Sequence, residues 1–89
     1  MRVTLYTKPD CPLCDDALRE LHGLQTEFGF ALLKRNILED EALFTQFRSL
    51  IPVVDVEGGP LLYPPHDWYT LRCALIGAQA QRAAHDNAA

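Results

Sequence analysis

Apolar residues follow two rhythms along this chain, and the switches between them mark out its elements. In Arg2-Val3-Thr4-Leu5-Tyr6 the apolar side chains Val3 and Leu5 alternate with their neighbours, which predicts a first strand ending near Thr7. From Cys14 onward the spacing lengthens: Cys14, Ala17, Leu18, Leu21 and Leu24 recur every three or four residues, as on one face of a helix. Pro12 suits the first position of that helix, whose amide has no helical partner to lose. The helix is predicted from Pro12 to about Glu27, with Gly29 as the residue past its end that takes a left-handed conformation. Phe30 to Arg35 reads as a second strand, with Phe30, Leu32 and Leu33 apolar and Lys34 and Arg35 at its exposed end. Glu39, Asp40 and Glu41 then put acid into the opening turn of a second helix, which suits the helix dipole. Leu43, Phe44 and Phe47 supply its buried stripe.

The run Ile51-Pro52-Val53-Val54-Asp55-Val56 predicts a third strand, with proline at its start where a strand tolerates one. Glu57-Gly58-Gly59-Pro60 is a hairpin turn, and Leu61-Leu62-Tyr63 returns as a short antiparallel partner. Pro64-Pro65 stops that strand, and Asp67 is the expected N-cap of a last helix. Trp68, Leu71, Leu75 and Ala78 form its inner stripe, with Cys73 half-buried beside it as a small apolar side chain. His66 is expected to serve as a loop or cap residue. The order β-α-β-α-β-β-α predicts an α/β domain with a four-stranded mixed sheet. Its first two strands run parallel through a right-handed crossover, its last two form the hairpin, and helices cover both faces. One domain over residues 1–79 is expected, with 80–89 a helix extension or frayed tail.

Composition narrows the classes. A chain of 89 residues with 48% apolar content can bury one small core. No apolar run approaches the roughly 20 residues of a membrane span. No basic segment followed by an apolar one opens the chain, so it reads as cytoplasmic without a secretory signal. Three cysteines do not make the disulfide framework of a secreted miniprotein. A net charge of −4, with basic side chains scattered, argues against nucleic acid as a partner. A monomer is expected, free of membrane.

The chemistry concentrates in Lys8-Pro9-Asp10-Cys11-Pro12-Leu13-Cys14. Cys11 falls at the start of the first helix and Cys14 one turn in. Free backbone N–H groups and the positive end of the helix dipole stabilise a thiolate there and lower a thiol pKa. One cysteine can act as a nucleophile and the other as its resolving partner. Two other readings stand beside this one. The pair could be small core residues, or half a metal site, for which only the isolated His22, His66, His85 and Cys73 could complete the set.

With Cys11-Pro12-Leu13-Cys14 after the first strand and Ile51-Pro52-Val53 opening the third, the chain resembles the glutaredoxins of the thioredoxin superfamily, most of all small bacterial glutaredoxin-like proteins. The resemblance extends from Val3 to about Ala78. It implies a thioredoxin-like fold of glutaredoxin size and a thiol–disulfide oxidoreductase, with Cys11 as attacking thiolate and Cys14 as resolving thiol. It implies a cis-proline at Pro52, a substrate surface formed by Pro12, Leu13, Ile51 and Pro52, and a free Ile51 backbone that pairs with an incoming peptide or glutathione. It also implies that Lys8 favours the thiolate and a glutathione carboxylate. No tightly bound cofactor is implied. Glutathione would serve as reductant, and a disulfide-bearing protein or small thiol as substrate. The sequence departs from the family at Leu13, where tyrosine is usual, and at Tyr63-Pro64-Pro65-His66-Asp67, which lacks the usual Gly-Gly turn. Of that stretch only Asp67 offers comparable chemistry. Asp10, Asp15 and Asp16 crowd the cysteines with acid. The expectation from another class is a non-enzymatic module that presents the Pro52 surface to a protein, and a third is a metal or iron–sulfur carrier.

Overall fold

The computed structural model describes residues 1–87. β1 (Arg2–Thr7) leads into α1 (Pro12–Phe28), then β2 (Ala31–Asn36), a 3-10 turn (Ile37–Glu39) and α2 (Glu41–Phe47). β3 (Val53–Val56), β4 (Leu61–Leu62) and α3 (Trp68–Asn87) follow. The sheet has the order β2-β1-β3-β4, with β1 parallel to β2, antiparallel to β3, and β3 antiparallel to β4. This is an α/β fold with a four-stranded mixed sheet and three helices, as the element order predicts, and it is the thioredoxin-like architecture that the resemblance implies.

Alternation along β1 divides the interior in two. Val3 and Leu5 point to one face, where Val54 and Val56 of β3 join them. Leu21 and Leu24 of α1 and Leu71 and Leu75 of α3 close over that layer. Tyr6 points to the other face and stacks on Phe47 of α2, ring centroids 4.8 Å apart, with Ile37 and Val53 beneath. Because α2 has only seven residues, it covers one end of this second face. The rest, from Arg2 and Thr4 to Leu33 and Asp55, forms an open polar recess. Antiparallel pairs tolerate one wet face, and this part of the sheet uses that freedom.

Local chemistry sets the helix ends. Gly29 takes φ +69° and its N–H returns to the Gln25 carbonyl, ending α1 one residue later than the spacing suggests. Asp40 caps α2 by accepting from the Ala42 and Leu43 amides. Asp67 Oδ1 accepts the Thr70 amide at 2.7 Å, and that bond, with the Thr70 side chain, holds the Asp67 carboxyl below its ordinary value. Residues 80–87 continue α3, and 88–89 lie outside the described residues.

Four apolar assignments differ from the sequence reading. Phe44 is substantially exposed, since one short helix needs only Phe47 to fill the space under Tyr6. Leu33 faces solvent from the edge strand β2 while Leu32 turns inward. Cys73 is exposed, because it sits two residues from both Leu71 and Leu75 and so about 200° around α3 from the buried stripe. Trp68 is 47% exposed instead of lying in the inner stripe. Its ring receives the Arg72 guanidinium at 5.5 Å, and Arg72 also lies over Phe28 at 5.8 Å. The same guanidinium donates to both Glu27 carboxylate oxygens, at 3.1 and 2.5 Å, holding the Glu27 carboxyl below its ordinary range. Arg72 thus straps α3 to the end of α1.

Gly23 inside α1 and Gly29 just past its end should respond oppositely to the same substitution. A Cβ at Gly23 or at Gly29 meets nothing within 4 Å, so conformation alone decides. Gly23→Ala lies in a helix interior and should raise stability by up to about 1 kcal/mol. Gly29→Ala places a Cβ in the left-handed region and should lower stability by roughly 1–2 kcal/mol in urea unfolding. Asp67 supplies an acid-side test. Its folded-state value is depressed, so the stability it adds is present above the unfolded value near pH 4 and fades as pH falls through the folded one. Wild type should exceed Asp67→Asn in stability at pH 6, and the gap should narrow as pH falls below about 4.

Candidate functional site

β1 carries the chain to the end of the sheet and there hands it to α1. Thr7, the last residue of β1, is buried, and Asp10 then takes φ +59°, a left-handed turn that aspartate tolerates better than most residues. That turn delivers Cys11 to the N-cap of α1 in an extended conformation, with Pro12 at the first helical position. The Cys14 amide donates to Cys11 Sγ at 3.2 Å, so a sulfur occupies the capping role that a serine or aspartate oxygen fills elsewhere. The two sulfurs are joined as a disulfide, with Cα atoms 5.2 Å apart. Their exposures differ in a way that matters chemically. Cys14, in the first turn of α1, is 2% exposed and faces inward, whereas Cys11 is only partly covered. An incoming sulfur can therefore reach Cys11 and not Cys14.

An open groove of about 630 Å³ begins at Leu13, which lies in the chain between the two cysteines, though neither cysteine is among its lining residues. Leu13, 63% exposed, and Ala17 form its α1 side, together with the polar Asp16, Arg19 and Glu20. Pro52 and the Pro64-Pro65-His66 loop form the opposite wall. The Ile51–Pro52 and Pro64–Pro65 peptide bonds are both cis. Arg19 pairs with Asp16 one turn earlier, so the acid of this wall is partly balanced.

The sequence-derived site residues separate into two groups in space. Pro52 is buried and borders the groove with Leu13, while Pro12 opens α1 exposed between the two cysteines. Lys8 stands in a different recess of about 340 Å³, with Asp10, Asp15 and Lys34, and does not line the groove. Asp67 does not line it either, since its carboxylate is engaged by the first turn of α3. The Ile51 amide is not free for an incoming chain, because it donates to the Phe47 carbonyl at 3.2 Å as α2 ends.

One contact has no counterpart in the sequence reading. His66 Nε2–H donates to the Pro52 carbonyl at 2.6 Å, across fourteen residues of chain. The carbonyl can only accept, so Nε2 carries a proton. Nδ1 is buried without a hydrogen-bond partner among the described residues. A polar ring directly behind Pro64-Pro65 was the available signal, but nothing in linear sequence names its partner. Among the described residues no cluster of three or more His, Cys, Asp or Glu is placed to hold a metal ion, and no helix is long and apolar enough to cross a membrane.

Comparison with known proteins agrees with this geometry. Residues 2–75 match the family described as Glutaredoxin-like domain (DUF836). The X-ray structure of target protein XcR50 from X. campestris is 32% identical with a TM-score of 0.74, over 84% of this chain and 96% of that one. Its solution structure gives a TM-score of 0.72 at 32% identity, over 86% and 95% of the two chains. A structure described as a malarial protein shares the fold at a TM-score of 0.65 and 22% identity, over 85% and 92%. A search of curated proteins returns no match. An adjacent Cys11–Cys14 pair at the first strand-to-helix turn fits a thiol redox role, and with the match over residues 2–75 the chain belongs to the glutaredoxin-like domain family.

Proposed function

We propose that the protein is a thiol–disulfide oxidoreductase working through the Cys11–Cys14 couple. The observation that carries this reading is the unequal exposure of two bonded sulfurs at one helix start. In the reduced protein the Cys14 amide and the α1 dipole favour Cys11 as thiolate. That thiolate attacks one sulfur of a substrate disulfide, forming a mixed disulfide at Cys11 and releasing the other half as a thiolate that takes a proton from water. Cys14 then loses its proton and attacks Cys11 Sγ. The internal disulfide forms and the second substrate thiol leaves, so that two electrons have passed from protein to substrate. Two thiols of an external reductant, glutathione or the dithiol of a reductase, reverse the bridge and leave as a disulfide. No metal or tightly bound cofactor enters these steps.

The groove favours a polypeptide disulfide over the glutathione tripeptide. Its walls offer the apolar Leu13, Ala17, Pro52, Pro64 and Pro65, with Asp16, Arg19, Glu20 and His66 among them. An apolar side chain next to a substrate cysteine fits there. Lys8, the residue that would meet a tripeptide carboxylate, lies outside the groove, and the Ile51 amide is already bonded. Both features weaken the case for glutathione as the bound substrate and leave it the role of reductant.

The thiol roles separate on mutation. Cys11→Ser should abolish turnover of a peptide disulfide, with a loss of at least about a thousandfold, as expected when a nucleophile is removed. Cys14→Ser should accumulate the mixed disulfide at Cys11, visible by mass spectrometry as the added mass of one substrate half. Cys73→Ser should behave as wild type. Full-rate reduction by Cys11→Ser would end the assignment. A stable protein partner without turnover would move it to a binding module.

A further inference from the structure

The corner at Pro52 is held from two sides. On the α2 side the Ile51 amide donates to the Phe47 carbonyl, 3.2 Å away. On the α3 side His66 bonds to the corner, its Nε2–H reaching the Pro52 carbonyl at 2.6 Å. Pro52 is among the fully buried residues, and proline brings no amide of its own. His66 is also the last residue of the loop that follows β4, directly before the α3 N-cap Asp67. Its ring therefore joins the two segments that make one whole wall of the groove, Pro52 and the Pro64-Pro65 loop.

We propose that His66 is a positioning residue that fixes the groove wall opposite Leu13 through its hydrogen bond to the Pro52 carbonyl, and so sets affinity for a polypeptide disulfide. It also lines the groove itself, no hydrogen bond joins it to either sulfur among the described residues, and the role proposed for it runs through its bond to Pro52. The buried, unpartnered Nδ1 supports a specific role for the ring. A residue serving only to fill the loop would not place an imidazole where one nitrogen is satisfied and the other is sealed from water without a partner. Without the bond, the Pro52 carbonyl loses its donor and the loop loses its tie to the corner. A substrate lying in the groove then meets a wall that must be ordered at the moment of binding, and affinity falls by the cost of that ordering.

The inference rests on the oxidoreductase reading, and the experiment separates the two. His66→Phe keeps a ring of similar size and removes the donor, whereas His66→Gln can place an amide N–H where Nε2 stands. Each is assayed with a peptide disulfide made of two eight-residue peptides carrying leucine next to cysteine, with dithiothreitol as reductant. His66→Phe should raise KM about tenfold, the range of one lost hydrogen bond, with kcat changed less than about twofold. His66→Gln should return KM to within about twofold of wild type. Binding is read separately by calorimetry on the Cys11→Ser/Cys14→Ser protein, using the same peptide with its cysteine S-methylated. Adding His66→Phe should weaken that affinity by a similar factor. An unchanged KM and affinity in His66→Phe would overturn the proposal. So would equal impairment of the Phe and Gln variants, or a fall in kcat together with thermal midpoint at constant KM, which marks a purely structural role. Failure of the oxidoreductase reading appears elsewhere, as absence of turnover in wild type, while the binding measurement on the serine protein still decides the role of His66.

Discussion

The structure depends most on the burial of one face of β1. Val3 and Leu5 are fully buried at the centre of the sheet, flanked by β2 on one side and β3 on the other. Side chains of about that size each contribute roughly 1.5–3 kcal/mol when fully buried, so the register of β1 is strongly specified. A slip by one residue would turn Thr4 and Tyr6 into the α1–α3 core and expose both valine and leucine. With register fixed, the end of β1 is fixed too, and Thr7 is the last buried residue before the chain turns at Asp10. The N-terminus of α1 has one place to begin. The position of Cys11 is thus inherited from hydrophobic burial several residues earlier.

Two distant segments meet at the disulfide for the same reason. β3 pairs with β1 in a register that sets Val53 against Tyr6 and Val54 against Leu5, which brings Pro52 to the same end of the sheet as Cys11. Val53 and Val54 face opposite layers and both are fully buried, so this strand can shift no more easily than β1. α3 reaches this end through Asp67 and His66. The groove is therefore assembled from three elements whose positions are each set by core packing, although few of its own residues are deeply buried.

The fold was legible because it rests on periodicity and on punctuation. Val3 and Leu5 at a spacing of two, Ala17, Leu21 and Leu24 at helical spacing, and Gly29 at φ +69° carry their meaning locally. Cys11 as N-cap followed from the proline at the next position. What could not be read were choices among equivalent apolar residues. Phe44 and Phe47 stand three apart on a seven-residue helix, and only the space beneath Tyr6 decides that Phe47 goes in. Trp68 continues the stripe of Leu71 and Leu75 in sequence, yet Arg72 on the same helix offers it a cationic face at the surface. The engagement of the Ile51 amide by Phe47 and of the Pro52 carbonyl by His66 depends on backbone geometry between elements, which leaves no residue pattern to find.

The acid around the cysteines argues less against a reactive thiolate than its count suggests. Asp10, Asp15 and Asp16 are exposed, and interactions between exposed charges are worth about 0–1 kcal/mol and are screened within roughly 8–10 Å at moderate salt. Asp16 is also paired with Arg19. Asp15 lies in the first turn of α1, where its charge steadies the helix whose free amides face Cys11. In the reduced state proposed above, the Cys14 amide that points at Cys11 Sγ would meet a thiolate, and hydrogen bonds to charged groups contribute about 1.5–3 kcal/mol. On that proposal the short-range donor outweighs the diffuse acid. Within that screening distance the same acid would oppose an anionic tripeptide such as glutathione, which is consistent with the proposed preference for a polypeptide.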